Sequence, residues 1–566
     1  MGIPRPALFK LFVAGFICYF NTLNNPFIWD DEVTIVNNQL IKSWKHFPEV
    51  FKTSMFGEKM KGISYFRPVQ TISYFLDYSL WKLNVRGYHI VNILLHIFNA
   101  YLVFLILNCI FRPFFYRSGS AKNRRSAGAT DRRSNKTFIP LIVSLLFVIH
   151  PVHTEAVTYI SGRGDLLAVF FSLLCFFFFI RRHFFPSIIF FVIALFAKEN
   201  AVVLPFIILS YFFLIHHPSQ AGTSLRKENY HKVTLFILLL ISGVYIFFRM
   251  LFVYYANTSS LSAIRDASFF ERVLTLPRIL FTYIRLLILP IHLHMEYLFV
   301  EKSLSSAYVW AGIPFLVFLF YFFYSFRLAT KSSGDDLRGK AGEKSAVFFI
   351  LWFLIGLVPF YNIAVPLHAT LLEHWVYFPS IGLLTLIVCS FPPFLEKMVA
   401  PKKLTIMVSR LLLAGFVIFF AFTTIKRNAQ WSDKILFYSH DLRYEPKSFL
   451  LWNNLGVEFY RKGLFPDAKA AFLKAIAVSP GNRYAVSHNN LGVIYENEGK
   501  IKDAVSLYKR SIELDNYVLA YGNLGRILIL QKKFNEAAEI LKKGFVLYPY
   551  DAEIKKCLEI LQKSGE

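Results

Sequence analysis

Hydrophobic and polar positions follow two different patterns, and the change lies near residue 427. Before it, apolar runs of 14 to 25 residues alternate with short polar loops. A helix of about 20 apolar residues crosses the hydrocarbon of a bilayer, so this part predicts a bundle of membrane helices. After it, Ala, Leu, Asn, Glu and Lys recur at helical spacing. We therefore predict an all-α chain with a membrane domain over 1–426, a linker over 427–448 and a soluble helical domain over 449–566.

The apolar runs predict eleven membrane spans. We expect the first to be a signal anchor, because no site of the small-x-small type follows it for cleavage. The stretch 272–290 is interrupted by Arg278, Arg285 and two prolines, so it is expected to lie at the interface or re-enter rather than cross. The predicted spans are 7–24, 88–111, 138–153, 156–180, 184–197, 201–215, 233–255, 306–326, 345–362, 375–394 and 405–424.

Charge supports a membrane protein and sets its orientation. The 566 residues include 62 Lys and Arg against 36 Asp and Glu, a net charge of +26, and only 17% are charged. Ordinary soluble domains have about 25% charged residues, so soluble and disordered classes are excluded. Excess Lys and Arg marks cytoplasmic loops, which explains the basic balance without nucleic acid. With the basic loops inside, the N-terminus is cytoplasmic, and the outer side holds the first outer loop (25–87), later loops that include 150–156, 198–200 and 363–374, and the C-terminal domain.

The C-terminal domain contains a repeat. Leu-Gly pairs at 455–456, 491–492 and 524–525 recur after 36 and 33 residues, with further small and aromatic residues at matching positions. This spacing resembles the tetratricopeptide repeat, whose period is 34 residues. Three repeats over 449–552 are expected. Such arrays bind polypeptides on a concave surface and do not catalyse reactions.

Several ionisable residues lie on the predicted outer side, where the cost of placing them near a bilayer indicates function. Asp30 and Asp31 follow the first span, and an acid held there can act as a general base on a hydroxyl. Arg67 opens an amphipathic stretch to about residue 82, predicted to be an interfacial helix. Its guanidinium either binds a phosphate or snorkels to the interface. Lys198, followed by Glu199, is either a lipid anchor or a phosphate ligand.

A stiff turn over 150–155 holds His150, His153 and Glu155. Two His and one Glu suggest a metal site, but the spacing fits no common helix-borne zinc motif. We expect a hydrogen-bonded turn at the floor of a cavity and no required metal. Shortly after it, Arg163 and Asp165 are expected to pair with each other or to face the cavity.

A late segment begins with Glu373 and His374 at the mouth of a span. Glu373 is a candidate structural or substrate contact, and the aromatic residues beside it suit an interfacial belt. No glycine-rich loop for a nucleotide occurs.

In order along the chain, these motifs resemble one family, the transmembrane and tetratricopeptide-repeat-containing O-mannosyltransferases. The matching segments are 29–31, 65–68, 150–157 with 162–167, 197–199, 373–382 and the repeats. The family usually has Arg where this chain has His374. The short repeat array suggests a bacterial relative, in the inner membrane with a periplasmic repeat domain, or the endoplasmic reticulum membrane with a lumenal one if the host is eukaryotic.

The resemblance implies a glycosyltransferase of the GT-C superfamily. It would transfer a sugar, with mannose favoured, from a polyprenyl phosphate to Ser or Thr hydroxyls of extracytoplasmic proteins, with inversion. Asp31 is expected to be the base and Asp30 to orient it. Arg67, Lys198 and His374 would contact the lipid phosphate, and the repeats would bind the acceptor. No cofactor or metal beyond the donor is expected.

Three alternatives stay open at this point. The same fold can serve a glycan or lipid acceptor, and an inactive membrane-anchored repeat protein would act as a scaffold. The scaffold is disfavoured because it has no need of the Asp-Asp, Arg-Pro and Lys-Glu motifs. A transporter is disfavoured because the ionisable groups lie on one side and not at the midplane.

Overall fold

The computed structural model describes residues 5–55, 65–116, 138–216, 225–252, 261–310, 336–398, 402–549 and 551–564, with scattered residues between 312 and 324. The predicted span 306–326 and the predicted basic loops 112–136 and 327–344 lie largely outside these residues.

Helices occupy the other ten predicted spans in the part of the chain that is described. The helices up to residue 432 are, in chain order, α1 (Arg5–Tyr19), α2 (Pro68–Trp81), α3 (Val85–Tyr116), α4 (Phe138–Ile149), α5 (Thr154–Thr158), α6 (Arg163–Ile180), α7 (Phe184–Ala197), α8 (Leu204–Leu214), α9 (Leu225–Phe252), α10 (Ala263–Asp266), α11 (Phe269–Ile288), α12 (Asp336–Leu357), α13 (Ser380–Met398) and α14 (Lys402–Gln430).

Within the described residues, five helices are long and apolar enough to cross a membrane. A sixth is added if the pair Phe138–Ile149 and Pro151–Thr158, bent by 51°, counts as one span. The chain is thus a multi-pass membrane protein, and the total of eleven crossings stays a prediction.

Local chemistry places the ends of these helices. Pro68 starts α2 at the first helical position, where its missing N–H costs no hydrogen bond. Lys198 ends α7 in an extended conformation, with φ −160° and ψ 140°. The helix therefore stops at the ionisable residues, and the polar turns that carry the candidate site lie between apolar helices.

The chain forms two compact units. The second consists mainly of Asp433–Glu566 and also includes Glu296–Leu298 and α10. Its remaining helices are α15 (Lys434–Leu442), α16 (Phe449–Arg461), α17 (Phe465–Val478), α18 (Ala485–Asn497), α19 (Ile501–Asp515), α20 (Val518–Leu530), α21 (Phe534–Leu547) and α22 (Ala552–Ser564). The segment 427–448, expected to be a linker, is largely helical, because the end of α14 and all of α15 lie in it.

Three helix pairs, α16–α17, α18–α19 and α20–α21, stand at the predicted repeats. The Gly of each Leu-Gly pair lets the two helices cross closely. A Cβ on Gly456 would lie 2.6 Å from the Phe472 ring of the next helix. The structure confirms the all-α class, with a membrane helical domain followed by a helical repeat array.

Candidate active site

Turns and helix ends from distant parts of the chain bring eight ionisable residues together in the membrane unit. We call this set the ion-pair cluster. Four of its members come from the turn after α1, the start of α2, the 150–155 turn and the first turn of α6. The other four come from later turns and helix ends. The members are Asp30, Arg67, Glu155, Asp165, Lys198, Glu199, Arg249 and His374.

Glu199 is the point on which the cations of the cluster converge. The Arg67 guanidinium donates to both of its carboxylate oxygens, at 2.7 and 3.0 Å. Arg249, in the last turn of α9, lies 3.7 Å from one of them. Burial raises the pKa of the Glu199 carboxyl. The nearby cations Arg67, Arg249 and Lys198 nevertheless hold this pKa well below its ordinary value. The Glu199 side chain is 29% exposed, against 10% for Arg67, so this anion faces the open part of the cluster.

A second group of pairs adjoins the first. Lys198 donates to Asp165 at 2.7 Å, and Asn200 donates to the other oxygen of that carboxylate at 3.2 Å. In the His374 ring, Nε2 lies 3.8 Å from a carboxylate oxygen of Asp165, and Nδ1 lies 2.8 Å from a carboxylate oxygen of Glu155. The backbone N–H of His374 also donates to Glu155 at 2.8 Å. His374 is thus held in place on two sides by carboxylates.

Asp31 lies outside this cluster, and both of its carboxylate oxygens accept hydrogen bonds. One carboxylate oxygen accepts from the N–H and the hydroxyl of Ser161, at 2.7 and 2.5 Å, and the other accepts from the Ile28 N–H at 3.1 Å. The residue is 1% exposed. Burial raises the pKa of Asp31 to about 7, while these three hydrogen bonds lower it. The carboxylate therefore joins the first outer loop to the 160–162 turn.

Asp30 has contacts that differ from those of Asp31. It is half-buried, and its backbone N–H donates to the Tyr159 hydroxyl at 3.1 Å. Burial raises the pKa of its carboxyl, whereas the Tyr159 hydroxyl, Arg67 and His374 lower it. Asp30 is therefore the aspartate of the pair that lies within electrostatic reach of the ion-pair cluster.

Arg163 and Asp165 do not pair with each other, so the first of the two alternatives expected for them is wrong. Residues two apart on a helix point to different sides, and here each finds a different partner. Arg163 is fully buried, lies 2.5 Å from Asp77 of α2, and donates to Asn92 and the Tyr88 carbonyl of α3 at 2.7 and 3.0 Å. Arg163 thus ties α2 and α3 to α6, while Asp165 faces the ion-pair cluster.

The glycine between these two residues has a steric role. A Cβ on Gly164 would lie 2.5 Å from the side-chain oxygen of Gln70 in α2. A larger residue here would therefore displace the Gln70 side chain.

The two histidines of the 150–155 turn are used in hydrogen bonds. His150 bonds the Leu287 carbonyl at 3.0 Å and accepts from a backbone N–H of its own turn. His153 bonds the Phe147 carbonyl at 2.8 Å and the Ser380 hydroxyl at 3.1 Å. Both rings are buried and hold the turn against neighbouring helices.

Glu373, directly before His374, accepts from the His294 N–H at 2.7 Å. Among the described residues, no group of three or more His, Cys, Asp or Glu is arranged to hold a metal ion.

Three residues of this region were not candidates on sequence grounds. Arg249 ends an apolar run, and a charge at the end of a predicted span is a signal that points to it. Tyr159 and Ser161 carry no signal of their own, because their contacts with Asp30 and Asp31 join segments about 130 residues apart.

Comparison with known proteins supplies the relatives of this chain. A model of the tetratricopeptide repeat matches residues 485–517 and 518–550. Protein O-mannosyl-transferase TMTC3 of Homo sapiens is 22% identical over 585 residues, covering 94% of this chain and 59% of that protein. The chain is similar to TMTC O-mannosyltransferases over nearly its whole length. Protein O-mannosyl-transferase F38B6.6 of Caenorhabditis elegans is 32% identical over 169 residues, 29% of this chain and 22% of that protein.

These findings confirm the resemblance drawn from the motifs. The chain spans 59% of the length of human TMTC3. A chain of the crystal structure of the APC/C hetero-tetramer Cut9-Hcn1 aligns at 13% identity with a TM-score of 0.26, over 87% of this chain and 92% of that one. That score is too low to relate the two folds.

Proposed function

We propose that this protein transfers a sugar, with mannose favoured, from a polyprenyl phosphate to Ser or Thr hydroxyls of polypeptides outside the cytoplasm. The reaction is a single displacement with inversion at the anomeric carbon. The names of its relatives support the mannosyl transfer, and the ion-pair cluster supports the lipid-phosphate donor.

One observation carries the proposal. Arg67, Arg249 and Lys198 all act on the Glu199 carboxylate, and Asp30 lies in the same electrostatic field. Cations that converge on one partly exposed anion form a site that a phosphate can take over. A general base beside a phosphate site is what sugar transfer from a lipid phosphate requires.

The base in this proposal is Asp30, with Asp31 as a positioning residue. A general base must be accessible to the acceptor hydroxyl. Both oxygens of Asp31 already accept hydrogen bonds from Ser161 and Ile28, and the group is buried. Asp30 is half-buried and interacts electrostatically with Arg67 and His374. This reverses the order of the two aspartates expected from the family resemblance.

Residues of this chain can take up the proton and the negative charge that the transfer step produces. The acceptor oxygen forms a bond to the anomeric carbon as the bond from that carbon to the phosphate oxygen breaks. The hydroxyl proton passes to Asp30, and the polyprenyl phosphate leaves with one more negative charge. Arg67, Arg249 and Lys198 stabilise that developing charge because preformed cations need little reorganisation.

Arg249 also accounts for a departure from the family pattern. His374 stands where the family usually has Arg, so a cation is needed from elsewhere. The guanidinium of Arg249 lies 3.7 Å from the same carboxylate that Arg67 holds. In the proposal it supplies the second arginine of the phosphate site, and His374 orients Glu155 and Asp165.

Topology and partners complete the proposal. The cluster faces the outer side, the N-terminus is cytoplasmic, and the repeat domain lies outside and binds the acceptor polypeptide. The positions of the basic loops support this orientation.

The test is sugar transfer by the purified protein in lipid nanodiscs, with polyprenyl-phosphate mannose and a Ser/Thr-rich peptide. We expect Asp30→Asn to lower kcat by about 100-fold or more. Arg67→Gln and Arg249→Gln should each raise the donor KM. Arg86→Gln is the matched control, because Arg86 is exposed and contacts Asn24 outside the cluster. Wild-type transfer by Asp30→Asn would refute the assignment of the base.

A further inference from the structure

Helix α14 is buried mainly at its C-terminal end. In its stretch Met407–Gln430, 11% of the most apolar window is buried within the protein. The end differs, because Arg427, Asn428 and Trp431 are each no more than 2% exposed. The end of α14 is therefore packed into the membrane unit, although most of the helix is not.

Asn428 joins this end to two distant segments. Its side-chain amide donates to the Cys18 carbonyl of α1 at 2.9 Å, and its backbone carbonyl accepts from the Asn25 amide of the first outer loop at 3.0 Å. Its side-chain oxygen accepts from the Thr158 hydroxyl, at the end of α5, at 2.6 Å. Asn428 thus fixes the end of α14 both to the loop that carries Asp30 and to the turn that follows α5.

Trp431 makes the next contact with that turn. Its ring is stacked on the ring of Tyr159, with 5.9 Å between the centroids and 28° between the planes. This is within the range in which aromatic pairs are favourable. The Arg427 guanidinium lies 5.6 Å from the centroid of the Trp431 ring. Since both aromatic rings are buried, the stacking limits the rotation of Tyr159.

The hydroxyl of Tyr159 reaches the proposed base. It accepts from the backbone N–H of Asp30 at 3.1 Å. Burial raises the pKa of the Asp30 carboxyl, and a hydrogen bond with the Tyr159 hydroxyl lowers it. Arg67 and His374 also lower this pKa through their charges, and Asp31 is the adjacent acid. The position of one phenol ring therefore affects both the backbone and the carboxyl of Asp30.

We propose that Trp431 is a positioning residue, which holds Asp30 in place through Tyr159. Trp431 touches neither Asp30 nor a substrate in this proposal. Its effect on the reaction follows from geometry, because a misplacement of about 1 Å can cost about 100-fold in rate. The proposal rests on the proposed function in taking Asp30 as the base.

A double-mutant cycle tests the path from Trp431 to Asp30. Sugar transfer is measured in nanodiscs for Trp431→Leu, Tyr159→Phe and the double variant. We expect each single change to lower kcat about tenfold and to leave the donor KM unchanged, because neither residue contacts Arg67, Arg249 or Lys198 in the proposed phosphate site. The double variant should lose no more than about tenfold, since both changes break the same path.

Two variants keep the test independent of folding. Trp431→Phe retains an aromatic ring for the stack, so its kcat should stay within about threefold of wild type. Tyr159→Phe keeps the stack and removes one oxygen atom, so it tests the path even where Trp431→Leu is poorly folded. Trp352→Leu is the matched control, because Trp352 is fully buried in the same unit and packs on Phe176 and Phe348.

The ionisation of Asp30 gives a readout that a purely structural role would not change. Loss of the Tyr159 hydrogen bond should raise the pKa of Asp30, so the acidic limb of kcat/KM should move to higher pH by about 0.5–1 unit in Trp431→Leu and Tyr159→Phe. Trp352→Leu should lower thermal stability without moving this limb. Infrared difference spectroscopy during a pH titration follows the same carboxyl without sugar transfer, and its band is the one that Asp30→Asn loses.

The outcomes separate this proposal from the proposed reaction. Trp431→Leu with the kcat and pH limb of wild type, in an enzyme that needs Asp30, would overturn the proposal and leave the reaction standing. An additive loss of about 100-fold in the double variant would also overturn it, because Trp431 would then act by another path. A shifted Asp30 band in Trp431→Leu, with no sugar transfer by wild type, would support the positioning role and contradict the proposed reaction.

Discussion

Replacement of Asp31 tests whether this residue holds the first outer loop rather than taking a proton. In Asp31→Ala, the backbone N–H groups of Ser161 and Ile28 lose their acceptor. Each orphaned buried donor costs about 1–3 kcal/mol, and the missing side chain leaves a small void. We expect the free energy of unfolding to fall by about 3–5 kcal/mol. That is a large part of the 5–15 kcal/mol that is typical of folded domains.

Two conservative variants sharpen the comparison. Asp31→Asn keeps an oxygen for Ser161 but turns an N–H group towards the Ile28 N–H, so about 1–3 kcal/mol should be lost. Asp30→Asn changes a half-buried group whose Tyr159 contact an amide oxygen can keep, and we expect a loss below about 1 kcal/mol. Asp30→Asn is therefore the matched control, since it removes the same charge one residue away.

The assay is equilibrium unfolding in mixed micelles of dodecyl sulfate, followed by circular dichroism. A stability of Asp31→Ala within about 0.5 kcal/mol of wild type would refute the role given to the three hydrogen bonds. So would an Asp30→Asn variant that unfolds as easily as Asp31→Ala.

Three further predictions concern the reaction and the repeats. Burial raises the pKa of Asp30, and a general base must be ionised to act. We therefore expect kcat/KM to fall with decreasing pH, with a midpoint above the ordinary carboxyl pKa of about 4, and Asp30→Asn to lack this dependence. A midpoint at or below about 4 would contradict the assignment. Glu199→Gln should lower the donor KM, because the Glu199 carboxylate would no longer compete with the donor phosphate for the nearby cations. A raised donor KM would show that Glu199 only positions those cations. Gly525→Ala should destabilise the repeat domain by about 1–3 kcal/mol in thermal melts, because the new Cβ would lie 2.4 Å from Leu541. The control Gly415→Ala places its Cβ in open space and should melt like wild type.

Helix positions and the repeat array follow from the sequence because length and period determine them. An apolar run of membrane length leaves no solution other than a helix. Leu-Gly pairs near a 34-residue period have the same packing in each repeat, with a large residue of the second helix over the glycine. These features depend on local composition, so a single chain is enough to predict them.

The candidate site was predictable as a set of turns but not as a set of pairs. Ionisable residues at span ends on one side of a membrane are brought to the same face, and Arg67, Lys198 and Glu199 do meet there. Their partners depend on helix rotation, which apolar runs do not specify. Arg163 and Asp165 show this, because two positions apart on α6 they contact α2 and the ion-pair cluster respectively.

The order of the two aspartates depends on the conformation of a single turn. Trp29 has a φ of 55°, a left-handed conformation that bulky residues seldom take. Two consecutive acids after it are equivalent by composition, charge and distance from the span. Ser161, 130 residues along the chain, separates them, because its N–H and hydroxyl bind one oxygen of Asp31, whereas Asp30 interacts electrostatically with Arg67 and His374. In the proposed reaction, this contact between the first outer loop and the 160–162 turn selects Asp30 as the base. Ser161→Ala should therefore weaken the hold on Asp31 and leave sugar transfer dependent on Asp30.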